Sequence, residues 1–256
     1  MFLASPLEWA PVNVTGTPRL LVIIPAFNEQ EALPGVLDEI HAILPDVDVL
    51  VVNDGSTDRT SEVARRGDAM VLDLALNLGV GGAMRAGYRF AAREGYDLAV
   101  QVDADGQHDP ADVRAVVAGL AELGADVVVG ARFSGRGAYS VRGPRRWAMS
   151  VLAVILSRIA HTRLVDTTSG FRAANRAAIE LFAAEYPAEY LGDTVESLVI
   201  ASRAGLRIRQ VPVHMRPRAG GAPSQGPLKA AVFLGRALLA LLIALSRPMR
   251  KTGDHR

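Results

Sequence analysis

Three carboxylates and a histidine fall within seven positions in the stretch VDADGQHDP, residues 102–110, just after the apolar run LAV. Asp103 and Asp105 are two apart, so in a regular strand they share a face, but Gly106 signals that the chain is already turning. Close carboxylates repel unless one takes a proton or a cation sits between them. The chain has no cysteine, so only oxygen and imidazole ligands are on offer. Such a set suits magnesium or manganese, ions commonly held by one or two carboxylates plus substrate phosphates. A solvated turn of acids and glycine is the competing reading, and an acid/base pair is the third.

Three further clusters invite chemistry. In NDGST (53–57), Asp54 is an acceptor for a base or ribose and Gly55 permits close approach; Ser56, Thr57 and Asp58 equally suit a helix cap. NLGVGGAMRAG (77–87) departs from a dinucleotide fingerprint at Met84. Its glycines either present backbone N–H groups to a phosphate at a helix start or let a helix pack tightly. No acid occurs from Val127 to Val165, where Arg132, Arg136, Arg142, Arg145, Arg146, Arg158 and Arg163 all fall. A planar guanidinium fork suits phosphate, whereas a solvated basic face is the plain alternative.

These clusters need a scaffold. RLLVIIP (19–25), VDVLVVN (47–53), AMVLDL (69–74), DLAVQVD (97–103), ADVVVG (125–130) and RIRQVPV (207–213) have strand length and β-branched content. Between the first five lie four segments with apolar residues at helical spacing, EALPGVLDEIHAIL, DRTSEVARR, VGGAMRAGYRFAAR and ADVRAVVAGLAEL. DTTSGFR (166–172) reads as a loop, with helices following near 174–184 and 193–204. This βαβ series predicts an α/β fold with a mainly parallel sheet covered by helices on both faces. Ligands of such sheets collect beyond the carboxyl ends of the strands. Pro25–Glu29, Asn53–Thr57, Asn77–Gly82 and Asp103–Asp109 converge on that edge.

At 256 residues and 50% hydrophobic composition the chain can bury a sizeable core. Its net charge of +1, from 28 basic and 27 acidic residues, gives no electrostatic case for nucleic acid. The domain organisation expected is an irregular arm over 1–18, a catalytic domain over 19–226, and an apolar helix with a polar tail over 227–256. The apolar run after Arg236 is only nine residues, short of the roughly 20 that span a bilayer. Lys229, Arg236 and Arg247 fall within about 20° of one another on a helix, giving a basic stripe beside a broad apolar face. That pattern fits a helix lying in the membrane surface, or one packed on the domain or on a second copy in a homo-oligomer.

Taken in order, PAFNE, NDGST, NxGxGGAxxxG, DADGQHDP, GAR and SGFR resemble glycosyltransferase family 2, in particular its dolichyl- and polyprenyl-phosphate mannosyl- and glucosyltransferases. The resemblance covers about residues 19–224. It implies a GT-A fold, a nucleotide-diphosphate sugar donor such as GDP-mannose or UDP-glucose, a divalent Mg or Mn ion, and inversion at the anomeric carbon. Pro25, Phe27 and Glu29 match the segment that cradles the nucleoside, with Asp54 at the base or ribose. Asp103, Asp105 and Gln107 match the metal and diphosphate ligands. Arg132 matches the arginine of a GSR-like motif, and with the metal and Arg218 it is expected to clamp the departing diphosphate. Arg146 and Ser150 match groups contacting the donor or the lipid phosphate, Arg218 a late arginine closing over the phosphates, and Glu196 a helical acid near the reaction centre. Two departures stand out: Asn53 replaces a common first Asp, and GAPSQ replaces the usual Ser-Lys after the late glycine.

The acceptor expected is a lipid phosphate. A monoalkyl phosphate, with a second pKa of about 6, is largely a ready nucleophile at pH 7. A sugar hydroxyl would need a base, for which Glu196 or Asp193 is the candidate. The site of action expected is the cytoplasmic face of the membrane. Alternatives are a family 2 enzyme acting on a cell-surface glycan hydroxyl, a sugar nucleotidyltransferase, for which PAFNEQ lacks the glycine-rich signature, and a non-catalytic nucleotide-sugar-binding module.

Overall fold

The computed structural model describes residues 18–132, 144–188 and 193–216. The N-terminal arm, Arg218 and the C-terminal apolar run therefore lie outside the described residues.

Seven strands form one sheet: β1 (Leu20–Ala26), β2 (Asp48–Asn53), β3 (Met70–Asp73), β4 (Leu98–Gln101), β5 (Val127–Ala131), β6 (Arg172–Asn175) and β7 (Ile208–Pro212). Their order is β3-β2-β1-β4-β6-β5-β7. The helices are α1 (Leu33–Ile43), α2 (Thr60–Arg66), α3 (Gly79–Arg93), α4 (Val113–Glu122), α5 (Pro144–Ile159), α6 (Arg176–Glu185) and α7 (Asp193–Arg203). All strand pairs are parallel except β4–β6 and β5–β6. The mainly parallel α/β architecture expected from the alternating pattern is therefore present.

Continuous apolar strands bury both faces because neighbouring side chains point to opposite sides. Leu21 and Ile23 of β1 enter one core cluster, with Tyr88, Phe182 and Leu198. Val22 and Ile24 enter the other, with Leu37, Ile40 and Val116. All four strand residues are fully buried, each stabilising the fold by roughly 1.5–3 kcal/mol. On the first face α3 lies close to the sheet because Gly87 has no side chain: a Cβ there would meet Ile23 Cγ2 at 2.6 Å. Small-residue packing thus accounts for at least this glycine of the NLGVGGAMRAG stretch.

Two expectations need correction. The segment read as a loop through residue 172 and a helix from 174 contains strand β6, and α6 starts only at Arg176. RAAN has no β-branched residue; it is extended because it pairs antiparallel with both β4 and β5, where Ala173 and Ala174 are fully buried. The fourth strand ends at Gln101, two residues before the expected Asp103, so both carboxylates of DAD lie in the turn that Gly106 completes at φ +75°. The acid-free segment, read above as phosphate-binding or as a solvated basic face, also carries helix α5.

Candidate active site

The strand order reverses between β1 and β4. From β1 the sheet runs outward to β2 and β3 on one side, and to β4 on the other. A crevice at such a reversal, at the carboxyl ends, is the expected ligand position. The loops that leave there are PAFNE after β1 and DADGQHD after β4.

The β1–α1 and β2–α2 loops are joined by reciprocal hydrogen bonds. Asn28 N donates to Ser56 Oγ (2.9 Å), Thr57 N to Asn28 Oδ1 (2.9 Å), Glu29 N to Thr60 Oγ1 (2.9 Å) and Gln30 N to Asp58 Oδ2 (3.2 Å). Phe27 is left 45% exposed on this shelf. Pro25 is half-buried at the end of β1.

Asp54 lies deeper. It is buried, and its Oδ1 accepts from Leu78 N at 2.7 Å, at the start of α3. Burial lifts its carboxyl above the ordinary value, an effect that the N–H groups of Leu78 and Gly79 only partly oppose. The start of α3 is thus already met by a protein carboxylate, which bears directly on the phosphate reading of this glycine-rich turn. Asn53, at the position of the departure noted above, donates to Asp73 Oδ1 at 2.8 Å; a carboxylate there would instead oppose Asp73.

In the DADGQHD turn, Asp105 is buried and its Oδ1 accepts from Gln107 N at 3.0 Å. Asp103 is 37% exposed. Its Oδ1 accepts from Gln101 Nε2 at 3.0 Å, and its backbone N–H donates to His108 Nδ1 at 3.0 Å. His108 is buried and stacked on Phe171 of the SGFR motif, ring centroids 4.8 Å apart. The turn is tied to the end of the described chain as well: Arg216 N donates to Gln107 O, and the Arg216 guanidinium bonds to Asp109 and Glu39.

Arg132 follows β5, which runs in the same direction as β4. Its guanidinium is engaged by Asp166, Nε to Oδ2 at 2.6 Å and Nη2 to Oδ1 at 2.9 Å, with Thr168 Oγ1 also at 2.6 Å from Nη2. Burial would lift the Asp166 carboxyl, but the bonds and charge of Arg132 outweigh it and hold the group below the usual carboxylate range. Sequence reasoning gave Asp166 no role; its only signal was that it ends the acid-free stretch.

Arg172 was also passed over. It is buried, and its donors go to Ser169 O, Ser197 Oγ and Thr194 O. It therefore holds the first turn of α7, which carries the buried Glu196. Desolvation raises the carboxyl of Asp193; Arg172 opposes that rise and the charge of Asp103 adds to it, so Asp193 and Asp103 lie within electrostatic reach. Arg146 and Ser150 fall on α5.

The family model described as glycosyl transferase family 2 matches residues 21–182, the span holding every loop described except the start of α7 and Arg216. The chain belongs to this family. It is a glycosyltransferase. Among curated proteins, it is 34% identical to the polyprenol monophosphomannose synthase of Mycolicibacterium smegmatis, over 66% of this chain and 66% of that protein. It is 35% identical to the undecaprenyl-phosphate mannosyltransferase of Micrococcus luteus, over 76% of this chain and 82% of that one. The fold matches glucosyl-3-phosphoglycerate synthase from Mycobacterium tuberculosis, crystallised with Mn2+, uridine diphosphate and phosphoglyceric acid, at TM-score 0.68 and 21% identity, covering 91% of this chain and 80% of that one. The GT-A architecture of the family 2 chain is thereby established.

Proposed function

We propose that this glycosyltransferase moves a hexose from a nucleotide-diphosphate sugar to a polyprenyl phosphate, inverting the anomeric carbon, with a divalent cation at Asp103 and Asp105. One observation carries the reading. The two carboxylates of DAD follow β4, the neighbour of β1 where the strand order reverses, in a chain 34% and 35% identical to two polyprenyl-phosphate mannosyl enzymes.

The donor set fits the cation. Asp103 and Asp105 offer hard oxygen ligands with Gln107 beside them, and among the described residues no three His, Asp or Glu side chains form a cage of their own. A pair of carboxylates completed by substrate phosphates is the usual arrangement for Mg2+. When bound, the cation supplies positive charge against the diphosphate leaving group.

The chain's own residues bind and orient. Phe27 offers its exposed ring to the nucleoside base, with Pro25 and Glu29 framing it. Asp54 supports that floor by anchoring α3, one of its oxygens being committed to Leu78 N. Arg132 pins the end of β5 to the 166–168 turn. Arg146, Ser150 and Arg218 are assigned to the phosphates of donor and acceptor. An acceptor phosphate oxygen attacks C1 of the sugar as the bond from C1 to the diphosphate oxygen breaks. The nucleophile is already anionic and loses no proton, so no general base is required.

Among the described residues no helix is long and apolar enough to cross a membrane. In this reading the 229–247 segment supplies the surface contact that brings the site to its lipid, at the cytoplasmic face. A sugar hydroxyl acceptor is the second reading: a hydroxyl nucleophile needs a carboxylate base, for which Asp193, its carboxyl raised by desolvation, is the candidate.

A thermal-shift comparison of GDP, UDP and dTDP sugars with and without Mn2+ tests the donor half. One donor is expected to raise the melting temperature far more with Mn2+ than without it. Equal shifts in both conditions would contradict the metal assignment.

A further inference from the structure

Gln101 closes β4 and is 3% exposed, yet among the described residues it makes one side-chain hydrogen bond, from Nε2 to Asp103 Oδ1 at 3.0 Å. Its own Oε1 is buried without a partner. An unsatisfied buried acceptor costs stability, so an apolar side chain would suit this position better if packing were its only task. Its cross-strand partner Arg172 leaves it unaided, because the Arg172 donors go to Ser169, Thr194 and Ser197.

The other oxygen of Asp103 is approached from a second side. His108 Nδ1 accepts from the Asp103 backbone N–H, which puts the proton of the neutral ring on Nε2, and Nε2 faces Asp103 Oδ2 at 3.5 Å. The ring is kept there by its stack on Phe171, interplanar angle 16°. Gly170 closes the third side. A Cβ on it would lie 2.8 Å from Gln101 Nε2 and 3.3 and 3.4 Å from the two carboxylate oxygens of Asp103.

We propose that Gln101 is a positioning residue which, with His108 opposite it, fixes the Asp103 carboxylate in its cation-binding orientation. This rests on the metal-dependent reading above. A carboxylate 37% open to solvent otherwise samples several rotamers and loses that freedom on ligation; held between an amide and an imidazole, it has little left to lose.

The test is a titration of full-length protein with Mn2+ in the presence of UDP or GDP, reading free Mn2+ by electron paramagnetic resonance, alongside urea unfolding without metal. Gln101→Leu, similar in size and free of the unpaired acceptor, is expected to bind Mn2+ about 10- to 100-fold more weakly with stability unchanged or raised. His108→Phe, which keeps the stack and drops both nitrogens, is expected to weaken binding in the same direction. A purely structural role for Gln101 predicts the reverse pattern, lower stability with Mn2+ affinity within twofold of wild type, and that result overturns the inference alone. If wild type itself binds no Mn2+ with either nucleotide, the metal reading fails and this inference with it. Should Gln101→Leu not fold, Gln101→Met reads the same quantity.

Discussion

Arg132 and Asp166 meet as a two-point ion pair, Nε to Oδ2 at 2.6 Å and Nη2 to Oδ1 at 2.9 Å, with the Asp166 side chain fully buried and that of Arg132 only 15% exposed. The pair joins the end of β5 to the loop that precedes β6, and so fixes two of the motifs by which the family is recognised. Removing one partner strands the other charge in the interior. Asp166→Asn is therefore expected to lower unfolding stability by about 3–5 kcal/mol. Urea unfolding of wild type and variant at pH 7 checks this, and a loss under 1 kcal/mol would show that the pair is not buried in solution.

The same pair predicts a pH dependence with a definite sign. The folded-state value of Asp166 lies below that of the unfolded chain, about 3.9. The unfolded state then binds more protons between the two values, so the contribution is complete well above pH 4 and fades as pH falls through the depressed folded value. The stability gap between wild type and Asp166→Asn is expected to be constant from pH 6 to 7 and to narrow below about pH 4. A gap that stays constant down to pH 3 would contradict the assignment.

Asp54 has the opposite sign. Its folded value is raised by burial, so the ionised carboxylate carries a stability penalty that grows as pH rises from the unfolded value through the folded one. Asp54→Asn keeps an oxygen for Leu78 N and removes the charge. Unfolding at pH 7 is expected to show equal or greater stability in the variant, and a clear loss would mean that the charge itself holds α3.

Phe27 is exposed, so its truncation leaves the core intact. Phe27→Ala is expected to weaken nucleotide binding by about 1–3 kcal/mol, the usual worth of an aromatic stacked on a base. Calorimetry against the preferred nucleoside diphosphate reads this directly, and an unchanged dissociation constant would remove Phe27 from the nucleoside site.

Much of this architecture is visible in the chain itself. β1 and β2 are unbroken apolar runs, and only strands buried on both faces need such composition. The convergence of PAFNE, NDGST and DADGQHD follows from where those strands end. β6 was hidden because its RAAN is made extended by two neighbours rather than by its own propensity. The engagement of Asp54 by Leu78 spans 24 positions and that of Arg132 by Asp166 spans 34, so local patterns could suggest neither. His108 adjoins the carboxylates in sequence; its stack on Phe171 required the fold.

The central claim is tested most directly by incubating purified full-length protein with Mn2+, a radiolabelled nucleotide sugar and polyprenyl phosphate, then counting label in the organic extract. The account predicts extractable sugar lipid from wild type, loss of at least a hundredfold in Asp105→Ala, roughly the 2.7 kcal/mol or more of leaving-group stabilisation asked of the site, and retained transfer in Asp193→Asn. Label passing only to sugar hydroxyls, or transfer undiminished in Asp105→Ala, would contradict it.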